Sequence, residues 1–129
     1  MIGLNPWRAQ KAGQTLTEAV KILDGTIQQV SSGKSVADCS HAIWETYGKI
    51  EYSVLMLKLQ LGIEDPRKLT GKVKTEEKDL DMLAKASDEL TAAVKSVEEQ
   101  EYPKALESAR RSRNILRATL LTIRKIQSQ

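Results

Sequence analysis

The chain has 129 residues, 40% hydrophobic, 29% charged and 4% aromatic, with seven Gly, three Pro, no Phe and a formal net charge of +3. So few turn formers argue against a sandwich or barrel, and the length suits a single domain that buries most of its unfolded surface. The lone Cys39 excludes an intrachain disulfide and any multi-cysteine zinc site.

The first helix is expected from about Pro6 to Val30. Asn5 supplies a capping side chain, Pro6 suits the first turn, and Ser31-Ser32-Gly33 closes the element. Gly13 and Gly25 each weaken it by roughly 1 kcal/mol relative to alanine. Ser35 with Asp38 approximates a capping box and opens the second helix. Val36, Ile43, Tyr47, Ile50, Val54, Leu57 and Leu61 give that helix its apolar stripe, and Gly62 caps it. Residues 63–74, with Asp65-Pro66 and Gly71, read as the one substantial linker, long enough to cross one end of a bundle. The third helix is expected from about Thr75 to Glu99, and Tyr102-Pro103 opens a fourth that continues to the C-terminus. The prediction is an all-α, antiparallel four-helix bundle built from two consecutive helical hairpins, about 6–62 and 75–128.

A near-repeat supports that reading. Leu16, Ala19, Leu23, Ile27 and Val30 align, 67 positions on, with Leu83, Ala86, Leu90, Val94 and Val97. Each run leads through a short polar turn into a second amphipathic segment. The longest apolar cluster, Val54 to Leu61, is broken by Lys58 and Gln60 and is too short to span a bilayer. The segment Met1 to Pro6 lacks the basic and apolar regions of a secretory signal, so a cytoplasmic protein without a membrane partner is expected.

Charge is unevenly spread. Residues 1–62 carry +1, residues 63–101 carry −4 and residues 102–129 carry +6. On the fourth helix Arg110, Arg113, Arg117 and Arg124 fall within an arc of about 60°, beside the apolar positions Ala105, Ala109, Leu116, Leu120 and Ile123. Arg111 and Lys125 lie further round. Planar five-donor guanidinium groups suit bidentate contact with phosphate or carboxylate, so this row reads as a surface for RNA, DNA or an acidic protein. The competing reading is that residues 76–101, nine acidic against three Lys, satisfy the arginines from the neighbouring helix.

The second helix carries Trp44, Tyr52, Leu55, Met56 and Leu59 outside its main stripe. An outer bundle helix needs one apolar stripe, so these residues read as a homodimer interface. Asp38, His41 and Glu45 share one side of the same helix. They fall short of the Glu-x-x-His sets of di-iron bundles, and a solvated first turn is the simpler account. Adjacent helical positions diverge, so His41 does not activate Cys39, which reads as a buried small apolar residue. No phosphate-binding loop or serine elbow is present. Neither a cofactor nor a catalytic residue is expected.

The stretch Gly33-Lys34-Ser35-Val36-Ala37 through Ala42-Ile43-Trp44 to Tyr47, with Glu101-Tyr102-Pro103-Lys104-Ala105-Leu106, resembles helical-bundle domains of the HEPN kind. Many of these are dimeric, and several are ribonucleases or partners of nucleotidyltransferases, so the resemblance implies RNA-related work. The ribonuclease members carry an Arg followed a few residues later by His. Here no His follows Arg110 to Arg124, which implies a binding-type relative. The sequence thus points to a non-enzymatic binding or adaptor protein. A HEPN-like nuclease, a metal-dependent bundle enzyme and a structural subunit of a larger complex stand as alternatives.

Overall fold

The computed structural model describes residues 6–62 and 78–127. Four helices account for nearly all of them: α1 (Pro6–Ser31), α2 (Ser40–Leu61), α3 (Asp79–Glu98) and α4 (Tyr102–Gln127). There is no strand among the described residues. The expected all-α bundle of two hairpins is the observed one. The expected linker 63–74 and the expected helix start at Thr75 lie outside the described residues.

The second helix departs from expectation at its start. The Ser35 hydroxyl accepts the Asp38 N–H at 3.1 Å, one arm of the anticipated capping box, but α2 itself begins after Cys39 without a side-chain cap. Beyond Ser35 the chain forms a short 3-10 turn, Ala37–Cys39, before α2 begins. The tighter turn draws both Val36 and Cys39 into the core, at 7% and 4% exposure.

Each helix packs on two neighbours: α1 on α2 and α3, and α4 on α2 and α3. The helices therefore sit in the cyclic order α1, α2, α4, α3. Leu16, Leu23, Ile43, Ile50, Leu57, Leu83, Leu90 and Leu116 fill the centre with essentially no exposure. Many other inward positions are small: Ala12, Ala19, Ala86, Ala93, Ala105 and Ala109. Small residues let the helices approach closely, and buried hydroxyls then reach backbone carbonyls across the gap. Ser112 Oγ donates to the Ala86 carbonyl at 2.8 Å, and Ser53 Oγ points to that of Ala12 at 3.4 Å. Gly13 belongs to this close packing. A Cβ there would lie 3.2 Å from Val97 Cγ1, so the glycine that weakens α1 also admits α3.

Inter-helix contacts fix the directions. Arg8 Nη1 donates to the Leu59 carbonyl at 3.2 Å, which sets the end of α2 beside the start of α1. Ser87 Oγ donates to Asp24 at 2.7 Å, and Val97 abuts Gly13, so α3 also runs antiparallel to α1. Arg113 on α4 meets Glu51 on α2, and Ser40 near the start of α2 lies with Arg124 near the end of α4. Every adjacent pair is antiparallel. Gly62 and Lys78 consequently lie at opposite ends of a bundle about as long as the 26-residue α1, roughly 39 Å. The two described points on either side of residues 63–77 are thus separated by the bundle's length.

The halves correspond residue by residue. Gly33 at φ 112° and Gln100 at φ 60° are 67 positions apart, and Gln100 is the one described non-glycine residue with positive φ. Lys34 N–H bonds the Gln29 carbonyl at 3.0 Å, and Glu101 N–H bonds that of Ser96 at 2.7 Å, again 67 apart at both ends. In the second helices the offset drops to 66. Ile43, Thr46, Ile50, Ser53, Val54 and Leu57 match Ala109, Ser112, Leu116, Thr119, Leu120 and Ile123, all buried. The first hairpin holds one residue more between its helices.

Candidate binding site on the α2–α4 side

The inward registers of α2 and α4 match, but their outward faces do not. At the offset of 66, Trp44, Glu45, Gly48, Glu51 and Leu59 of α2 correspond to Arg110, Arg111, Asn114, Arg117 and Lys125 of α4. Four basic positions of α4 thus correspond to an aromatic, an apolar and two acidic residues of α2. Because α2 and α4 are neighbours, the two exteriors meet along one side of the bundle.

The arginine row does not act as a unit. Arg111 turns to α3, donating from Nε to Glu89 at 3.1 Å with Glu107 at 3.4 Å on its own helix. The hydrogen bond to Glu89, aided by both carboxylate charges, raises its pKa above the ordinary value. Arg113 turns the other way, donating from Nη1 to Glu51 on α2 at 3.3 Å, with its side chain only 15% exposed. Arg110 and Lys125 are also engaged within the chain. Arg117 and Arg124 stand exposed, and neither makes an ion pair among the described residues. Acidic α3 therefore pairs with Arg111 of the basic helix, whereas the partner of Arg113 is a residue of α2.

Arg117 and Arg124 line one cleft of about 370 Å³ together with Ser40, Trp44, Tyr47, Leu120, Leu121 and Ile123. Trp44 is 56% exposed and Leu121 50%. The Trp44 and Tyr47 rings meet in a T-shaped contact, with centroids 5.7 Å apart and planes at 83°, and more than half of Trp44 stays exposed. Tyr47 is half-buried beneath it. Burial and then the Glu51 carboxylate raise its pKa above 10.0, against the opposing pull of Arg117 and Arg113. The Tyr47 phenol is thus a neutral hydrogen-bonding group among two cations and a carboxylate. Chemically the cleft offers two cations, an aromatic face and an apolar floor.

The structure re-sorts the residues expected at a dimer interface. Met56 is buried in the core at 7% exposure and is not available to a partner. Trp44 belongs to the cleft. Tyr52, Leu55 and Leu59 remain on the outer face of α2, at 38%, 49% and 44% exposure. Tyr47 and Leu121 are cleft residues that the sequence reading did not single out as functional. Asp38, His41 and Glu45 are all exposed, and no three His, Cys, Asp or Glu side chains among the described residues come together as a metal site. Cys39 is buried and its thiol points to Gln29 Oε1 at 3.6 Å. No helix among the described residues is long and apolar enough to cross a membrane. Comparison of the chain with protein-family models, with curated proteins and with solved structures finds no match.

Proposed function

We propose that this chain is a binding protein that takes single-stranded nucleic acid in the α2–α4 cleft. The observation that carries the reading is the pairing of Arg117 and Arg124, without ion-pair partners among the described residues, with the exposed Trp44 in one cleft. The two arginines are seven residues apart, about 10.5 Å along α4, and so meet different phosphates of one strand. An exposed indole can stack with an unpaired base of any identity, which a duplex does not offer. The same charges on a flat polar surface would suit an acidic peptide equally well. The aromatic face beside them is what favours a nucleobase.

The test is fluorescence anisotropy of labelled single-stranded RNA and duplex DNA across a salt series. Binding of the single strand is expected to weaken linearly in log salt, by about 0.7 per phosphate neutralised. Arg117→Ala and Arg124→Ala should each reduce that slope by about this amount. Trp44→Ala should weaken binding at every salt concentration by about 1–3 kcal/mol. Absence of binding at low salt, or affinity unchanged in the double arginine variant, would refute the proposal.

A further inference from the structure

α2 carries two seams back to back. Thr46, Ile50, Ser53 and Leu57 face the core, all with 0% exposure. Two residues later along the chain, and about 200° round the helix, Gly48, Tyr52, Leu55 and Leu59 repeat the same four-three-four spacing on the outside. This is the spacing with which one helix meets another. Of the six large apolar side chains exposed among the described residues, four lie on α2, so the second seam is a property of that helix. Its counterpart on α4 reads Asn114, Ala118, Leu121 and Lys125.

Gly48 points further. Apart from proline, glycine is the poorest helix former, and Gly48 lies well inside α2. A Cβ built there meets nothing within 4 Å, as is also true of Gly25 in α1, but Gly48 alone of the two stands in line with exposed large apolar side chains. A helix arriving from outside calls for a glycine, because a missing side chain lets a large one enter.

We infer that the outer seam of α2 docks on the same seam of a second copy of this chain, in an antiparallel two-fold pairing. The seam is complementary to itself in that arrangement. A two-fold axis level with Ser53 and Val54 sets Gly48 opposite the partner's Leu59 and Tyr52 opposite the partner's Leu55, a small residue against a large one at each end. No charged side chain stands at any of the four positions, so two copies meet without like-charge repulsion along the contact. An isologous interface of this kind is the commonest way for one chain to cover an apolar patch. Trp44 lies one turn before Gly48 and lines the cleft with residues of α4. Two clefts in one dimer would bind a single strand with added avidity.

The experiment is sedimentation velocity in reductant, from low micromolar to near-millimolar protein, on the full chain. The wild type is expected to sediment as a dimer at the upper concentrations. Leu55→Glu should dissociate it, with a dimer constant at least about tenfold weaker, while the helical circular dichroism is retained. Gly48→Leu should do the same by filling the space for the partner's Leu59. Leu121→Glu alters the corresponding exposed residue of α4 and should leave the dimer intact. A wild type that is monomeric throughout overturns the inference. So does a dimer that both Leu55→Glu and Gly48→Leu leave unchanged. Neither result touches the anisotropy test with Arg117→Ala and Arg124→Ala, whose residues lie on α4 and outside the seam.

Discussion

Set side by side, the two hairpins share an interior and differ in exterior. The buried hydroxyls of Thr46 and Ser53 recur as Ser112 and Thr119, and the fully buried Ile50 recurs as Leu116. Outside, Trp44 and Leu59 stand where Arg110 and Lys125 stand on the other hairpin. Interior positions answer to one another across the bundle, because every buried side chain must fit its neighbours at close-packed density. Exterior positions answer to whatever lies outside the chain. The difference teaches where to look for activity in such a molecule: at corresponding positions whose chemistry has separated.

The sharpest way to break this comparison is to cut the same inner position in both halves. Ile50→Ala and Leu116→Ala should each cost about 2–5 kcal/mol, and by similar amounts if the two interiors are equivalent. Urea denaturation checks it, and a strongly unequal pair would show that one hairpin dominates the core. The two connecting turns offer a smaller contrast. Gly33 at φ 112° has a conformation that side chains resist, so Gly33→Ala should destabilise by about 1–2 kcal/mol. Gln100 sits at φ 60° with a side chain in place, so Gln100→Gly should stabilise by up to about 1 kcal/mol. The same denaturation curves read both, and matching signs would separate the turns.

The smallest effect concerns Tyr47. Its pKa is raised in the folded chain, so the native state keeps this proton at a pH where the unfolded chain releases it. The contribution is fully present below pH 10.0 and is lost as pH climbs through the folded value. Thermal unfolding of the wild type should therefore fall more steeply above that pH than unfolding of Tyr47→Phe. Parallel curves would remove Tyr47 from the electrostatics of the cleft.

The interior was legible in the sequence because helical periodicity reports burial directly, and Leu16, Leu23, Leu83 and Leu90 all lie at 0% exposure. The excess of apolar residues on α2 was equally plain. What could not be read was how that excess divides. Whether Met56 or Leu55 points inward depends on where α1 and α4 lie around the helix, and periodicity alone does not give that angle. The arginines show the same limit. Acidic residues crowd the preceding α3, yet Arg113 pairs with Glu51, which is 62 residues away and lies on the neighbouring α2. Pairing follows adjacency in space, and the order of helices around the bundle is not written in any one of them. The drop from an offset of 67 to one of 66 hid the match between α2 and α4 for a related reason. One extra residue in the first hairpin is absorbed around the 3-10 turn at Ala37–Cys39.

The separation of Gly62 from Lys78 bears on how the molecule comes apart. Each half keeps its own hairpin contacts, and the remaining described contacts, α1 with α3 and α2 with α4, are between halves. A protease nick anywhere in residues 63–77 would leave those faces intact on two separate peptides. The nicked protein should hold together as a complex of fragments and, after denaturation, reassemble at a rate that depends on concentration. For the described bundle, the covalent connection then acts as a tether: it supplies a high local concentration of one half for the other.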